Sequence, residues 1–385
     1  MKTAMLLRNL IINDAIHREA YGADIRIRDG KIAQIGAGLM PGPGEEAADF
    51  SGLYAYPGFV EAHSHITLSN WGGPTGGQQD VNEKSSTMTP EVRAMDAFNP
   101  QDPAVGLAVK GGITTVCACP GSSNVIGGSC AAIKLHGNCV DDMVLKPVAA
   151  MKCAFGENVK SSYAGKNGGT RMAIAARLRE ELYKTREYME KKEAAPEGKK
   201  PPFDMKLEAM IPVLRGEIPL KCHAHRADDI LTAIRIAGEF GVRITIEHCT
   251  EGHLIVGELK RAGVPVACGP LMGGASKQEL RNRTVETPGI LAAAGVPVTI
   301  ITDAPVNMQQ YLPLCAALAV REGMDPFAAL QAITINAAKH IGVGDRVGSL
   351  EVGKDADIVI TDGNPLSCDK VIRRVYINGE TVYKD

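Results

Sequence analysis

Residues 56–345 repeat one arrangement, a short apolar run followed by a helical stretch, and this restricts the fold more than any other feature. After the first run, which leaves a Pro57-Gly58 turn and ends in His63-Ser64-His65, come Ile113–Cys119, Pro147–Phe155, Pro219–His223, Arg243–His248, Val264–Cys268 and Val296–Thr302. Helical stretches are Ala104–Lys110, Thr170–Lys192, Met205–Arg215, Asp228–Phe240, Leu312–Glu322 and Pro326–Ile341, the last with Asp325 as cap and Pro326 in the first turn. The alternation predicts an α/β fold, a (β/α)8 TIM barrel spanning 56–345. Seven strands are clear rather than eight, and the weakest place is between Phe155 and Pro219, where a short strand is either hidden or missing.

The two ends read differently. Leu6–Asn13, Asp24–Arg28 and Lys31–Ile35 are short strands, with Asp29-Gly30 as a hairpin turn. At the other end Ile358–Thr361 is followed by Val371–Ile377 and Glu380–Tyr383 around an Asn378-Gly379 turn. Neither end buries a core alone. Residues 1–55 and 346–385 are therefore expected to assemble one small β-sandwich domain, with the barrel inserted between them.

Composition narrows the function. A net charge of −2 and 4% aromatic residues leave neither a basic field nor a stacking surface for nucleic acid. No apolar run reaches the roughly 18 residues of a membrane span, and the start of the chain lacks a secretion signal. Ten cysteines without paired CxxC motifs read as reduced core residues in a cytoplasmic protein. The expected partner is a small molecule, with neither nucleic acid nor membrane, and a homo-oligomer is expected.

Strand side chains alternate between faces, so His63 and His65 project the same way, about 7 Å apart at Cα. Two imidazoles so placed can reach one metal at about 2 Å. Other runs end in His223, His248 and Asp303, with Glu157 just past the third strand and His225 on the same face as His223. In a barrel of parallel strands the chemistry gathers at the strands' carboxyl ends, so these residues predict a shared divalent metal site. Arg226 can bind a substrate carboxylate bidentately or pair with Asp228 or Asp229. The long Gly-rich loop from Ser69 to Pro103, with Trp71 and Asn82, is expected to touch substrate. Gly127-Gly128 and Gly273-Gly274 read as ends of barrel segments, either plain turns or points of close approach.

The order PGFVEAHSH, CHAHR, IEHC, ITDAP, TINAAKHIG and GSLEVGKDADIVI resembles metal-dependent amidohydrolases of the imidazolonepropionase-related branch, over nearly the whole chain. The resemblance implies a barrel with a β-sandwich, one or two divalent ions (zinc, with manganese or iron as alternatives), and hydrolysis of a C–N bond in an amide or cyclic amide. It implies His63, His65, His223 and His248 as ligands and Asp303 as both ligand and general base/acid. It also implies a bridging acid, for which Glu157 at the barrel mouth is expected ahead of a carbamylated Lys152. His225 is then expected to contact substrate. Related deaminases usually carry a Glu three residues after the ligand that His223 matches, where this chain has Arg226. The second reading is a prolidase-like dipeptidase; a deaminase or a catalytically silent assembly protein ranks below it.

Overall fold

The computed structural model describes residues 4–69, 79–165, 168–196 and 198–385. Eight strands form a nearly closed barrel: β1 Phe59–Ser64, β2 Ile113–Ala118, β3 Ile126–Lys134, β4 Val144–Ala154, β5 Leu220–Ala224, β6 Ile244–His248, β7 Val266–Cys268 and β8 Val298–Ile300. They are hydrogen-bonded in chain order. All but β4 are buried along their whole length, because helices cover the outside and side chains fill the inside. That is why these strands read as continuous apolar runs.

Among the described residues between Phe155 and Pro219 a strand is missing, not hidden, and the eighth lies elsewhere. Residues 155–219 hold three helices, Glu157–Ser162, Arg171–Ala194 and Met205–Leu214, and the additional strand is β3, which contains Gly127-Gly128. It runs antiparallel to both β2 and β4. The links on its two sides, residues 119–125 and 135–143, are shorter than the roughly dozen residues a parallel return requires, so the antiparallel direction follows from chain length. The expected helix Pro326–Ile341 is also two helices, Pro326–Ala332 and Ile335–His340. They separate at Thr334, whose hydroxyl donates back to the Leu330 carbonyl at 2.6 Å.

No ladder joins β8 to β1. A buried carboxylate spans the seam: Glu61 of β1 accepts from the Thr302 N–H (2.9 Å), the Thr302 hydroxyl (2.5 Å) and the Gln309 amide (2.9 Å). One main-chain bond, from His65 N–H to the Ala304 carbonyl at 2.8 Å, reinforces it.

A second sheet takes Met5–Ile12, Tyr21–Arg28, Lys31–Gly36, Glu46–Asp49 and Tyr54–Pro57 from one end of the chain and Ile358–Thr361, Ile372–Ile377 and Glu380–Lys384 from the other. Tyr54–Pro57 lies between Met5–Ile12 and Ile358–Thr361, so the two ends share one sheet. It has its own core, including Leu7, Ile12, Ile25, Ile358 and Tyr376. At the joint with the barrel, Lys134 of β3 reaches Asp355 at 2.8 Å and Asp357 at 2.9 Å, while Asp355 also binds Lys31 (3.0 Å) and Arg346 (2.7 Å). The motif Lys354-Asp355-Ala356-Asp357 is thus a structural fastening. Gly58 lies at the same joint: a Cβ there would come within 2.2 Å of the Thr114 hydroxyl. No helix among the described residues is long and apolar enough to cross a membrane.

Candidate metal centre

Two groups of ligand atoms meet inside the barrel at the carboxyl ends of its strands. One is His63, His65 and Asp303; the other is His223, His225 and His248; within each, the atoms lie within 4.8 Å of one another. The groups adjoin, with ring centroids of His63 and His248 5.2 Å apart. Alternation alone brings in His63, His65, His223 and His225. His248 and Asp303 enter by another route: both have left-handed backbone, φ 71° and 53°, where a non-glycine residue is strained by about 1–3 kcal/mol. The turn at His248 lets it join the ligands although its neighbour Glu247 also faces the barrel interior.

Hydrogen bonds fix the imidazoles. His63 donates from Nδ1 to Glu247 (2.9 Å), His65 to the Cys119 carbonyl (2.7 Å) and His248 to the Gly269 carbonyl (2.9 Å). His225 Nδ1 is 2.7 Å from the Thr250 hydroxyl. With Nδ1 so occupied, Nε2 is the nitrogen left to ligate. Burial, followed by the Lys152 ammonium, pulls His63 down to about 3. Burial likewise drives His223 and His225 well below, and His248 below, the usual imidazole value. Burial opposes ionisation of Asp303, but the imidazoles of His248, His65 and His63 hold its carboxyl well below the usual carboxylate range. Metal ligation needs imidazole lone pairs free of protons and an ionised carboxylate, and the shifts of His63, His223, His225, His248 and Asp303 run in those directions.

The donors fit a cation. Nε2 of His223, Nε2 of His248 and Oδ1 of Asp303 are buried without a hydrogen-bond partner. Three acceptors in one place, unpaired and desolvated, are costly unless an ion takes their lone pairs.

Lys152 of β4 is fully buried, with Nζ 3.2 Å from His63 Nε2 and 3.1 Å from the Pro120 carbonyl. Its charge acts on His63, His223 and His248, members of both groups. Glu157 belongs to neither group. It opens a helix beyond the end of β4, its N–H bound to Glu279 at 2.8 Å. Arg226 is committed elsewhere: its guanidinium makes a two-pronged pair with Asp228 at 2.9 and 2.7 Å on the exposed start of a helix. Of the two readings of Arg226, the pairing with Asp228 is the one this geometry has, and Arg226 is not among the residues lining the cavity. Of the loop 69–103, Ser69, Val81 and Asn82 line the cavity, whereas Trp71, Gly72-Gly73 and Gly76-Gly77 lie outside the described residues.

The cavity has a volume of about 470 Å³ and is lined by His65, His223, His225 and Asp303 together with Asn158, Gly273-Gly274, Lys277 and Arg283. Sequence reasoning misses Glu247. Fully buried, it holds His63, Lys221 (2.8 Å), His340 (2.9 Å) and Thr245 (2.7 Å) together. Burial opposes its ionisation, but Lys221 and His340 keep its carboxyl well below the normal value. It also misses Glu279, 3.8 Å from His225 Nε2. A charged residue inside an apolar strand, as in Ile244–His248, was the available signal for Glu247.

The sequence profile of the amidohydrolase family matches residues 54–382. The chain belongs to this family. Among solved structures, an amidohydrolase from Thermotoga maritima is 40% identical, with a TM-score of 0.96 over 99% of this chain and 100% of that one. Amidohydrolase tasK of Hapsidospora irregularis is 28% identical over 94% of this chain and 40% of its own length. An imidazolonepropionase of Geobacillus kaustophilus is 49% identical over 73 residues, 18% of this amidohydrolase and 17% of that protein. The chain therefore spans well under half of the tasK protein, while matching the Thermotoga structure end to end. These likenesses agree with the imidazolonepropionase-related branch of the superfamily.

Proposed function

We propose that this amidohydrolase hydrolyses a carbon–nitrogen bond in an amide or cyclic amide of a small metabolite, at a centre holding two divalent ions. The observation that carries the reading is the pair of adjoining three-residue ligand groups, with Lys152 Nζ 3.2 Å from His63 of the first. His63, His65 and Asp303 would hold one ion and His223, His225 and His248 the other. Imidazole with carboxylate suits zinc.

In this reading Lys152, buried beside His63, would bridge rather than Glu157, which lies in a helix past the end of β4. A buried ammonium with no carboxylate partner among the described residues, facing two cations, is untenable. Carbamylation reverses its charge: the neutral Nζ attacks CO2, a C–N bond forms, one C=O pair moves onto oxygen, and the proton leaves to solvent. The resulting carbamate would have two oxygens to share between the two ligand groups.

Bound ions would supply acidity to a water molecule and polarise the scissile carbonyl. The chain's own residues manage the proton. Asp303, already ionised, accepts it at a carboxylate oxygen from the attacking water and returns it to the departing nitrogen. Nε2 of His65 lies 3.2 Å from Asp303 Oδ1, and the two atoms would meet on the same ion. The products are an acid and an amine.

The test is metal analysis of protein reconstituted with and without bicarbonate, joined to a hydrolysis screen of N-acyl amino acids, cyclic amides and dipeptides. Two equivalents of metal, bicarbonate-dependent, with turnover of at least one amide class, is the expected result. One equivalent, indifferent to bicarbonate, would remove the bridging role of Lys152. Turnover confined to dipeptides would favour the peptidase reading.

A further inference from the structure

Arg283 is a cation of the cavity that no carboxylate among the described residues answers. The cavity's other ammonium, Lys277, sits 2.6 Å from Glu279 and 3.0 Å from the Asn158 side-chain oxygen. Among the described residues the Arg283 guanidinium meets main-chain partners, the Gly274 carbonyl at 3.4 Å and the Pro270 carbonyl. Among the described residues no carboxylate pairs with it, whereas Arg171, Arg179, Arg226 and Arg346 each have one. The nine undescribed residues nearest in sequence to the cavity loop, 70–78, contain no acid.

Its position is set by the segment that follows β7. That segment starts with Gly269, whose carbonyl orients His248, and passes Gly273-Gly274 before reaching Arg283. One stretch of chain therefore shapes a ligand and a cation on the same cavity. Arg283 is near enough for its charge to act on His225. Asp303 is the only carboxylate among the described residues lining the cavity, and it stands with His65 in the ligand group. Burial already weighs against the guanidinium charge, and two carbonyl oxygens leave most of its five N–H donors unused.

We propose that Arg283 binds the carboxylate of the substrate, so that the amide to be cleaved is presented to the His/Asp centre; the substrate class is then an N-acyl or cyclic amide bearing one carboxylate. The proposal rests on the hydrolase reading above for its second half only. A planar two-pronged donor matches a carboxylate. Met272, Leu280 and Val306 line the space as an apolar wall for the body of such a molecule. The cavity volume of about 470 Å³ suits a small metabolite.

Two measurements separate the anchor from the reaction. First, metal-loaded wild type, Arg283→Met and Arg283→Lys are assayed on N-acetyl-L-amino acids, carboxylated cyclic amides and dipeptides, each beside its carboxamide. Wild type should favour the acid by about 100-fold in kcat/KM. Arg283→Met should lower that ratio towards one, chiefly through KM, and Arg283→Lys should recover part of it. An undiminished acid preference in Arg283→Met overturns the proposal. Second, in metal-free wild type the rate at which phenylglyoxal modifies Arg283 is followed by peptide mass spectrometry. Succinate should slow it several-fold and succinamide should not. Protection by phosphate but not succinate, or by neither, rejects a carboxylate anchor. Succinate protection without any hydrolysis supports the anchor and counts against the hydrolase reading. Hydrolysis indifferent to the carboxylate does the reverse.

Discussion

Nζ of Lys152 lies 3.2 Å from Nε2 of His63, and both side chains are fully buried. Under the proposed function, with His63 on an ion, an ammonium this close to it would be repelled. Lys152→Ala should therefore lose most bound metal and at least about 100-fold in kcat, and bicarbonate should not restore it. Glu157→Gln, by contrast, should keep wild-type metal content. Plasma-emission analysis of the two variants side by side checks this, and the opposite pattern would return the bridge to Glu157.

Asp303→Asn retains the shape of the side chain but removes the proton acceptor. Its kcat should fall by about 1,000-fold while the folded state persists by circular dichroism. Near-normal turnover would remove Asp303 from the proton path.

Glu247 is surrounded by Lys221, His340 and His63. Glu247→Gln leaves the Lys221 ammonium buried without its counter-charge, and breaking such a pair costs about 3–5 kcal/mol. A lowered urea midpoint is expected, with part of the loss recovered in the double variant Glu247→Gln, Lys221→Met. If the single variant unfolds at the wild-type midpoint, Lys221 has another partner.

Much of the site was legible because metal ligands are rare residue types and the strands that carry them are apolar. His63, His65 and His223 needed only the alternation rule, and His248 and Asp303 only their position at strand ends. Ranking Lys152 against Glu157 needed register. Lys152 stands opposite Lys221 inside the ladder, whereas Glu157 lies past its end in a helix. Glu247 escaped because the rule assumes extended backbone throughout, and the left-handed turn at His248 lets two neighbours serve the interior. The strand Ile126–Lys134 escaped because Gly127-Gly128 resembles a turn and its burial on both faces erases any alternation. The lengths of the flanking links carried the missing information.

The pH dependence of stability should show the joint between the two sheets. Burial opposes ionisation of Asp355, but Arg346, Lys134 and Lys31 hold its carboxyl well below the ordinary value. A depressed folded-state value contributes stability that is complete above the unfolded value of about 4 and declines as pH falls below it. The thermal midpoint of wild type should drop below about pH 4. Asp355→Asn should start lower at pH 7 and lose less on acidification. Parallel acid profiles for the two proteins would show that Asp355 contributes nothing there.

The shared sheet also imposes an order of events at the ribosome. Tyr54–Pro57 emerges early, but its partner Ile358–Thr361 lies beyond the entire barrel. At roughly 5–20 residues per second, the intervening chain takes tens of seconds to make. Throughout that interval the first strands present an open edge of the kind that recruits foreign strands. Nascent chains of this protein are thus exposed to misassembly at one defined edge, and a chaperone that shields extended backbone would act there before the last strands arrive.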